Sequence, residues 1–177
     1  MKPSHGRLFE PQQVHGTGKK LSLILTSEHD QSIREHAERD YPSECCGALL
    51  GEIIGGGKYV SLAIPLSNQH EEGTSRRFRI EADDLLLVEK LARKDKKSII
   101  GFYHSHPDAP AVPSLYDKEH AWEVYSYLIV EVKAGAVNSA RSWLLDLDAD
   151  RFNEENVLVT QCILESAAGT LPGGIQE

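Results

Sequence analysis

The sequence predicts an α+β domain, a mixed β-sheet flanked by helices, and three observations carry that expectation. Short apolar, β-branched runs of strand length recur along the chain; two segments instead place apolar residues at helical spacing; polar, Gly- or Pro-containing stretches separate them. A chain of 177 residues is long enough to bury one true core.

Residues 1–20 are polar and without period, and SAAGTLPGGIQE at 166–177 is similar, so both are expected as flexible segments around a single domain at 21–165. LSLILT has the length of a strand. Residues 27–40 then set Ile33, His36 and Ala37 at helical spacing until Pro42 forbids continuation. CGALLGEII and KYVSLAIPL, separated by Gly55-Gly56-Gly57, predict an antiparallel hairpin. RRFRI at 76–80 alternates Phe78 and Ile80 with Arg77 and Arg79, the pattern of a half-buried strand. EADDLLLVEKLARKDKK predicts a helix with Leu85, Leu86, Val88 and Leu91 as its apolar stripe, acids in the first turn and lysines in the last. SIIGFYHSH is then a strand, SLYDKEHAW a short helix, and YSYLIVEV, SARSWLLDLD and NVLVTQCIL are three further strands.

Composition narrows the function classes. A formal net charge of −8 argues against a nucleic-acid partner, and no apolar stretch approaches the roughly 18–20 residues of a membrane span. The first residues lack a signal-peptide core, so a cytoplasmic location is expected. Three cysteines, two of them adjacent, predict no disulfide framework.

The chemistry concentrates in HSHPDAPAVPSLYD, residues 104–117. Alternation along a strand points His104 and His106 the same way, close enough for both imidazoles to reach one ion. Asp117 is the candidate third ligand, delivered from a helix start in which Ser114 is the N-cap and Asp117 stands at N3. Zinc takes such nitrogens and a carboxylate oxygen, and a catalytic site leaves the fourth position to water. Two histidines and a carboxylate equally suit non-haem Fe(II). His120, one helix turn after Asp117, could close the site as a fourth ligand but is expected as a surface residue or one behind the ligands, whereas His5, His15, His29, His36 and His70 have no partners at ligand spacing.

The pattern H-S-H-P, six residues, S-x-x-D resembles the JAMM signature of the MPN (JAB) metalloproteases, a zinc-dependent group with a cytidine-deaminase-like sheet. Upstream, YPSECCGALLG looks like the same family's P-x-E-x-C-G segment. The likeness implies Glu44 as catalytic general base and Ser114 as hydrogen-bond donor to the oxyanion. More softly, it implies Asn68, Arg77 and Arg79 as substrate contacts near the cleft. The chain looks like the compact prokaryotic type, whose implied substrates are ubiquitin-like or sulfur-carrier proteins ending in Gly-Gly; homo-oligomerisation is left open. Cys45 and Cys46 beside Glu44 are expected as buried structural residues. A non-catalytic MPN scaffold and a DNA-repair-associated relative are the alternatives within the wider family.

Overall fold

The structure, a computed structural model, describes residues 22–67 and 82–161. The expected flexible segments 1–20 and 166–177 lie outside these residues, as do the RRFRI strand, Asn68, Arg77 and Arg79. Strand β1 (Ser22–Thr26) runs into helix α1 (Ser27–Asp40), where the Thr26 side chain accepts the His29 amide at 3.2 Å and caps the first turn. Strands β2 (Cys46–Ile54) and β3 (Gly57–Leu66) form the expected antiparallel hairpin. Its turn passes through Gly55 and Gly56 at φ +59° and +87°, where a Cβ would be strained. Helix α2 (Ala82–Lys94), strand β4 (Ser98–Pro107), helix α3 (Leu115–His120) and strands β5 (Ser126–Lys133), β6 (Ala136–Asp146) and β7 (Arg151–Thr160) complete the order.

The domain is α+β with a mixed sheet, but that sheet is closed: the seven strands form a barrel in the order β1-β3-β2-β4-β5-β6-β7. Closure comes from β1, which pairs in parallel with β3 on one side and with β7 on the other. Both edges that an open sheet would expose are thereby satisfied. Strand β7 starts at Arg151, earlier than its apolar residues suggest. Its polar half, through Glu155, pairs with β6, and the half from Asn156 pairs with β1.

The two faces of the sheet carry different helices. Helix α1 lies against β1, β3, β4, β5, β6 and β7, and its Ile33 and Ala37 join a core of Leu23, Leu25, Leu49, Tyr103, Leu128 and Val130. Helix α2 covers the opposite face of β2 and β4, where Val88 and Ala92 meet Ala48, Phe102, Ile129 and Trp143. Leu86, expected in the α2 stripe, is 51% exposed; Leu85, Val88, Leu91 and Ala92 form the packed side instead. Among the described residues no helix is long and apolar enough to cross a membrane.

The α1-side face also buries charge. Lys58 of β3 donates to the Val124 carbonyl at 2.9 Å and to Ser126 Oγ at 3.0 Å, and burial lowers its pKa to about 8. Nearby polar groups include Ser142, which donates to Glu155 at 2.8 Å.

Gly47 of β2 sits opposite Tyr103 of β4, and the tyrosine ring occupies the space that a Cβ at this position would need. Tyr103 is fully buried and its hydroxyl is bonded to His36, so the ring cannot swing away. Gly47→Ala is expected to lower the unfolding free energy by about 1–3 kcal/mol, the range for overpacking a tight core. Urea unfolding measures this, and unchanged stability would mean that the ring yields freely.

Candidate metal centre

Strand β4 ends in His104-Ser105-His106-Pro107, and its alternation divides the work of these residues. Tyr103 belongs to the α1-side core, and Ser105 shares its face. His104 and His106 share the face of Phe102, toward α2, and their Nε2 atoms lie 3.0 Å apart. The His106 Nδ1–H donates to the Pro110 carbonyl at 2.8 Å, which leaves the Nε2 lone pair of the neutral ring toward His104.

Asp117 arrives from the first turn of α3. The expected capping box is formed: Ser114 Oγ accepts the Asp117 amide at 3.1 Å, and Asp117 Oδ2 accepts the Ser114 amide at 2.6 Å. The Ser114 hydroxyl also donates to Oδ2, at 2.7 Å. So held, the carboxylate places Oδ1 3.4 Å from His104 Nε2 and Oδ2 3.7 Å from His106 Nε2. The loop between strand and helix is tied down by Trp143, whose indole N–H donates to the Ala111 carbonyl at 3.0 Å.

Glu44 precedes β2, and backbone register brings it to the same place. Cys46 pairs with His104, and the Ser105 amide donates to the Cys45 carbonyl at 3.1 Å. One further step along both chains sets Glu44 beside His106, and cross-strand neighbours share a face. Glu44 is only 7% exposed, and its charge acts on the His106 imidazole.

These positions tune one another. Burial lowers the His104 pKa, and Asp117 only partly offsets it. At His106, burial again works against the charged form, but the adjacent Asp117 carboxylate, the bond to the Pro110 carbonyl and the Glu44 charge outweigh it, and the pKa is raised. Burial would also raise Asp117, but the two adjacent imidazoles and the hydroxyl of Ser114 hold it well below the usual carboxylate range.

His104, His106 and Asp117 offer donor atoms that all lie within 4.8 Å of one another, each residue buried. Two imidazole nitrogens and one carboxylate oxygen converge here with the second nitrogen of His106 fixed, a donor set that could hold a divalent transition metal. His120 stands apart: it is exposed, stacked on Tyr116 at 4.1 Å between ring centroids, with Nδ1 bonded to the Tyr116 carbonyl. The only other histidines among the described residues are His29 and His36. His36 is buried behind the site, with Tyr103 Oη 2.8 Å from its Nδ1 and Asp40 3.1 Å from its Nε2. Cys45 and Cys46 are buried free thiols whose pKa values burial pushes up to about 11 and about 12, so neither is a ready thiolate. Ser105, unassigned from the sequence, accepts the Cys45 amide through Oγ at 2.8 Å and so locks the register beside Glu44. Its place between the two histidines, facing away from them, is the sequence signal by which such a role could have been found.

A family model described as prokaryotic homologues of the JAB domain matches residues 26–146. A desampylase of Haloferax volcanii is 31% identical over 146 residues, 81% of this chain and 99% of that protein. A protein of Thermus thermophilus named as a probable TtuB-protein conjugate cleaving protease is 34% identical over 122 residues, 67% of this chain and 74% of that protein. Among solved structures, a protein of Desulfitobacterium hafniense superposes with a TM-score of 0.70 at 28% identity, covering 80% of this chain and 95% of that one.

Proton competition at His106 gives the centre a testable pH dependence. The raised pKa keeps its proton on the metal-free protein above the ordinary value of 6.5, whereas Asp117 is ionised throughout this range. A cation must displace that proton, so zinc affinity should rise as pH increases through 6.5 and above, with protons released on binding. Calorimetric zinc titrations at several pH values, in buffers of different ionisation enthalpy, measure both quantities. Affinity independent of pH would remove His106 from the donor set.

Proposed function

This chain belongs to the prokaryotic homologues of the JAB domain, and from that membership we propose a zinc-dependent peptide or isopeptide hydrolase acting after the C-terminal Gly-Gly of a ubiquitin-like or sulfur-carrier protein. The observation that carries it is the meeting of two acids of opposite role at one histidine pair. Asp117 is turned inward toward the histidines, and Glu44 arrives on the connection that leads into β2, outside the donor cluster. The relatives named as a desampylase and as a conjugate cleaving protease support the reaction class and a protein substrate.

His104, His106 and Asp117 would hold the zinc. When bound there, zinc supplies a Lewis acid that lowers the pKa of water toward about 7 and polarises the scissile carbonyl. Glu44 takes the proton from the attacking water as its oxygen bonds to the carbonyl carbon. It returns that proton to the amine as the carbon–nitrogen bond breaks. Ser114 has one hydroxyl proton, which in this structure goes to Asp117. To serve the developing oxyanion it must turn away, and the Ser114 amide keeps Asp117 in place while it does so. Glycines on the substrate side of the bond suit a narrow cleft, since a backbone without side chains can approach the site closely. We further propose that this closed sheet is a cytidine-deaminase-like one and that the metallopeptidase domain spans 21–165.

The test is an assay on a carrier protein extended past Gly-Gly, together with metal analysis. Wild type should release the extension, and Glu44→Gln should retain zinc while losing about 10²–10⁴-fold in kcat. His106→Ala should lose both zinc and turnover. Absence of turnover in the zinc-loaded wild type would indicate a scaffold, and oxygen-dependent chemistry indifferent to Glu44 would indicate iron.

A further inference from the structure

We infer that Tyr41 and Asp108 are positioning residues that together set where the Glu44 carboxylate stands beside His106; the inference rests on the assignment of Glu44 as the general base. Glu44 lies in a short connection between α1 and β2 that belongs to neither element. The backbone that carries this carboxylate is placed by what holds its two ends. The downstream end is pinned at Cys45, whose carbonyl and amide bond the backbone and the hydroxyl of Ser105. The upstream end is pinned at Tyr41, whose hydroxyl donates to Asp108 Oδ2 at 2.8 Å. Ser105 and Asp108 flank His106 in the chain. The segment carrying the base is therefore fastened at two points to the segment carrying a metal ligand, one point on each side of both residues.

Asp108 is built for this task. Its other oxygen accepts the Ala134 amide at 3.0 Å, and its own amide donates to the Val132 carbonyl at 2.7 Å, so it is anchored to the β5–β6 turn. Its φ is +51°, a left-handed conformation that aspartate and asparagine tolerate better than most residues. Two residues on, the Pro110 carbonyl holds the His106 ring, so one anchored carboxylate braces both the ligand loop and the approach to Glu44. The Tyr41 ring packs against the α1-side core, which fixes the direction from which its hydroxyl reaches out.

Tyr41→Phe removes the hydroxyl and leaves the ring in place. Its kcat should fall about tenfold, the low end of the range for partners that orient catalytic groups, with KM, zinc content and melting temperature close to wild type. Asp108→Ala should cost more, Asp108→Asn should recover part of that loss because it keeps an acceptor and suits the left-handed backbone, and Tyr41→Phe added to Asp108→Ala should cost nothing further. A crystal structure of Tyr41→Phe should show the Glu44 carboxylate displaced from His106, a readout independent of turnover. Wild-type kcat with Glu44 unmoved in Tyr41→Phe would overturn the inference, as would activity losses that merely track lost zinc or lost stability. Should wild type itself fail on the extended carrier, the proposed function falls, and the position of Glu44 in the Tyr41→Phe crystal still decides the clamp.

Discussion

The alternation of a single strand is the constraint on which this molecule depends. In β4 the residues at 102, 104 and 106 face α2 and those at 103 and 105 face away, so five consecutive positions serve two purposes without interference. Tyr103 fills the core against α1 and bonds His36, and Ser105 fastens the neighbouring chain. These contacts fix the backbone from behind, and His104 and His106 inherit that rigidity in front. A register slip of one residue would send both imidazoles into the α1-side core and Tyr103 into the site. The strongest guards against such a slip are the Cys45–Ser105 bonds and the tight fit of the Tyr103 ring over Gly47.

The electrostatics follow from that placement. Buried between two histidines, the Asp117 carboxylate is costly to desolvate, and it stays ionised because the two imidazoles and, to a smaller extent, the Ser114 hydroxyl offset that cost. Without a cation the cluster holds its charge in balance through a proton favoured on His106 and disfavoured on His104. A divalent ion bound there would resolve this arrangement by replacing the proton with a charge that all three donors could share. The capping box therefore does more than begin a helix: it fixes the Asp117 carboxylate where the two imidazoles hold it charged against burial.

Much of this was legible in the chain because it is local. The span of α1 between LSLILT and Pro42, the Gly55–Gly57 hairpin, the H-x-H pair and the Ser114–Asp117 cap are each written within a few residues, where period and turn chemistry act directly. What the sequence concealed is long-range or polar. Closure depends on β1 pairing with residues 156–160, and nothing local marks that partnership. Strand β7 begins in RFNEE, whose exposed polar residues hide a strand from any hydrophobic criterion. Lys58 and Glu155 are buried because the sheet curls round on itself, a property of the whole barrel that no single strand displays. Leu86 was drawn into the α2 stripe by its leucine neighbours, although only one side of a helix can meet the sheet. Asp108 reads as a loop residue until Tyr41, Val132 and Ala134, all remote from it in sequence, come together around it.

The third ligand reaches the site through topology. Strands β4 and β5 are parallel, so the chain leaving Pro107 cannot turn back directly; it must cross over to begin β5 at Ser126, beside Gly101. Residues 108–125 make that crossing on the α2-side face, where Ala111 is buried and held by Trp143. The same connection carries Pro110, which orients His106, and Ser114 with Asp117, which complete the donor set. A sheet antiparallel at this point would need only a tight turn after the histidines and would have no chain to spare for the carboxylate. The parallel pairing of β4 and β5 thus converts a connection that the fold must make in any case into the arm that delivers Asp117, and this arm leaves β4 directly after the two histidines.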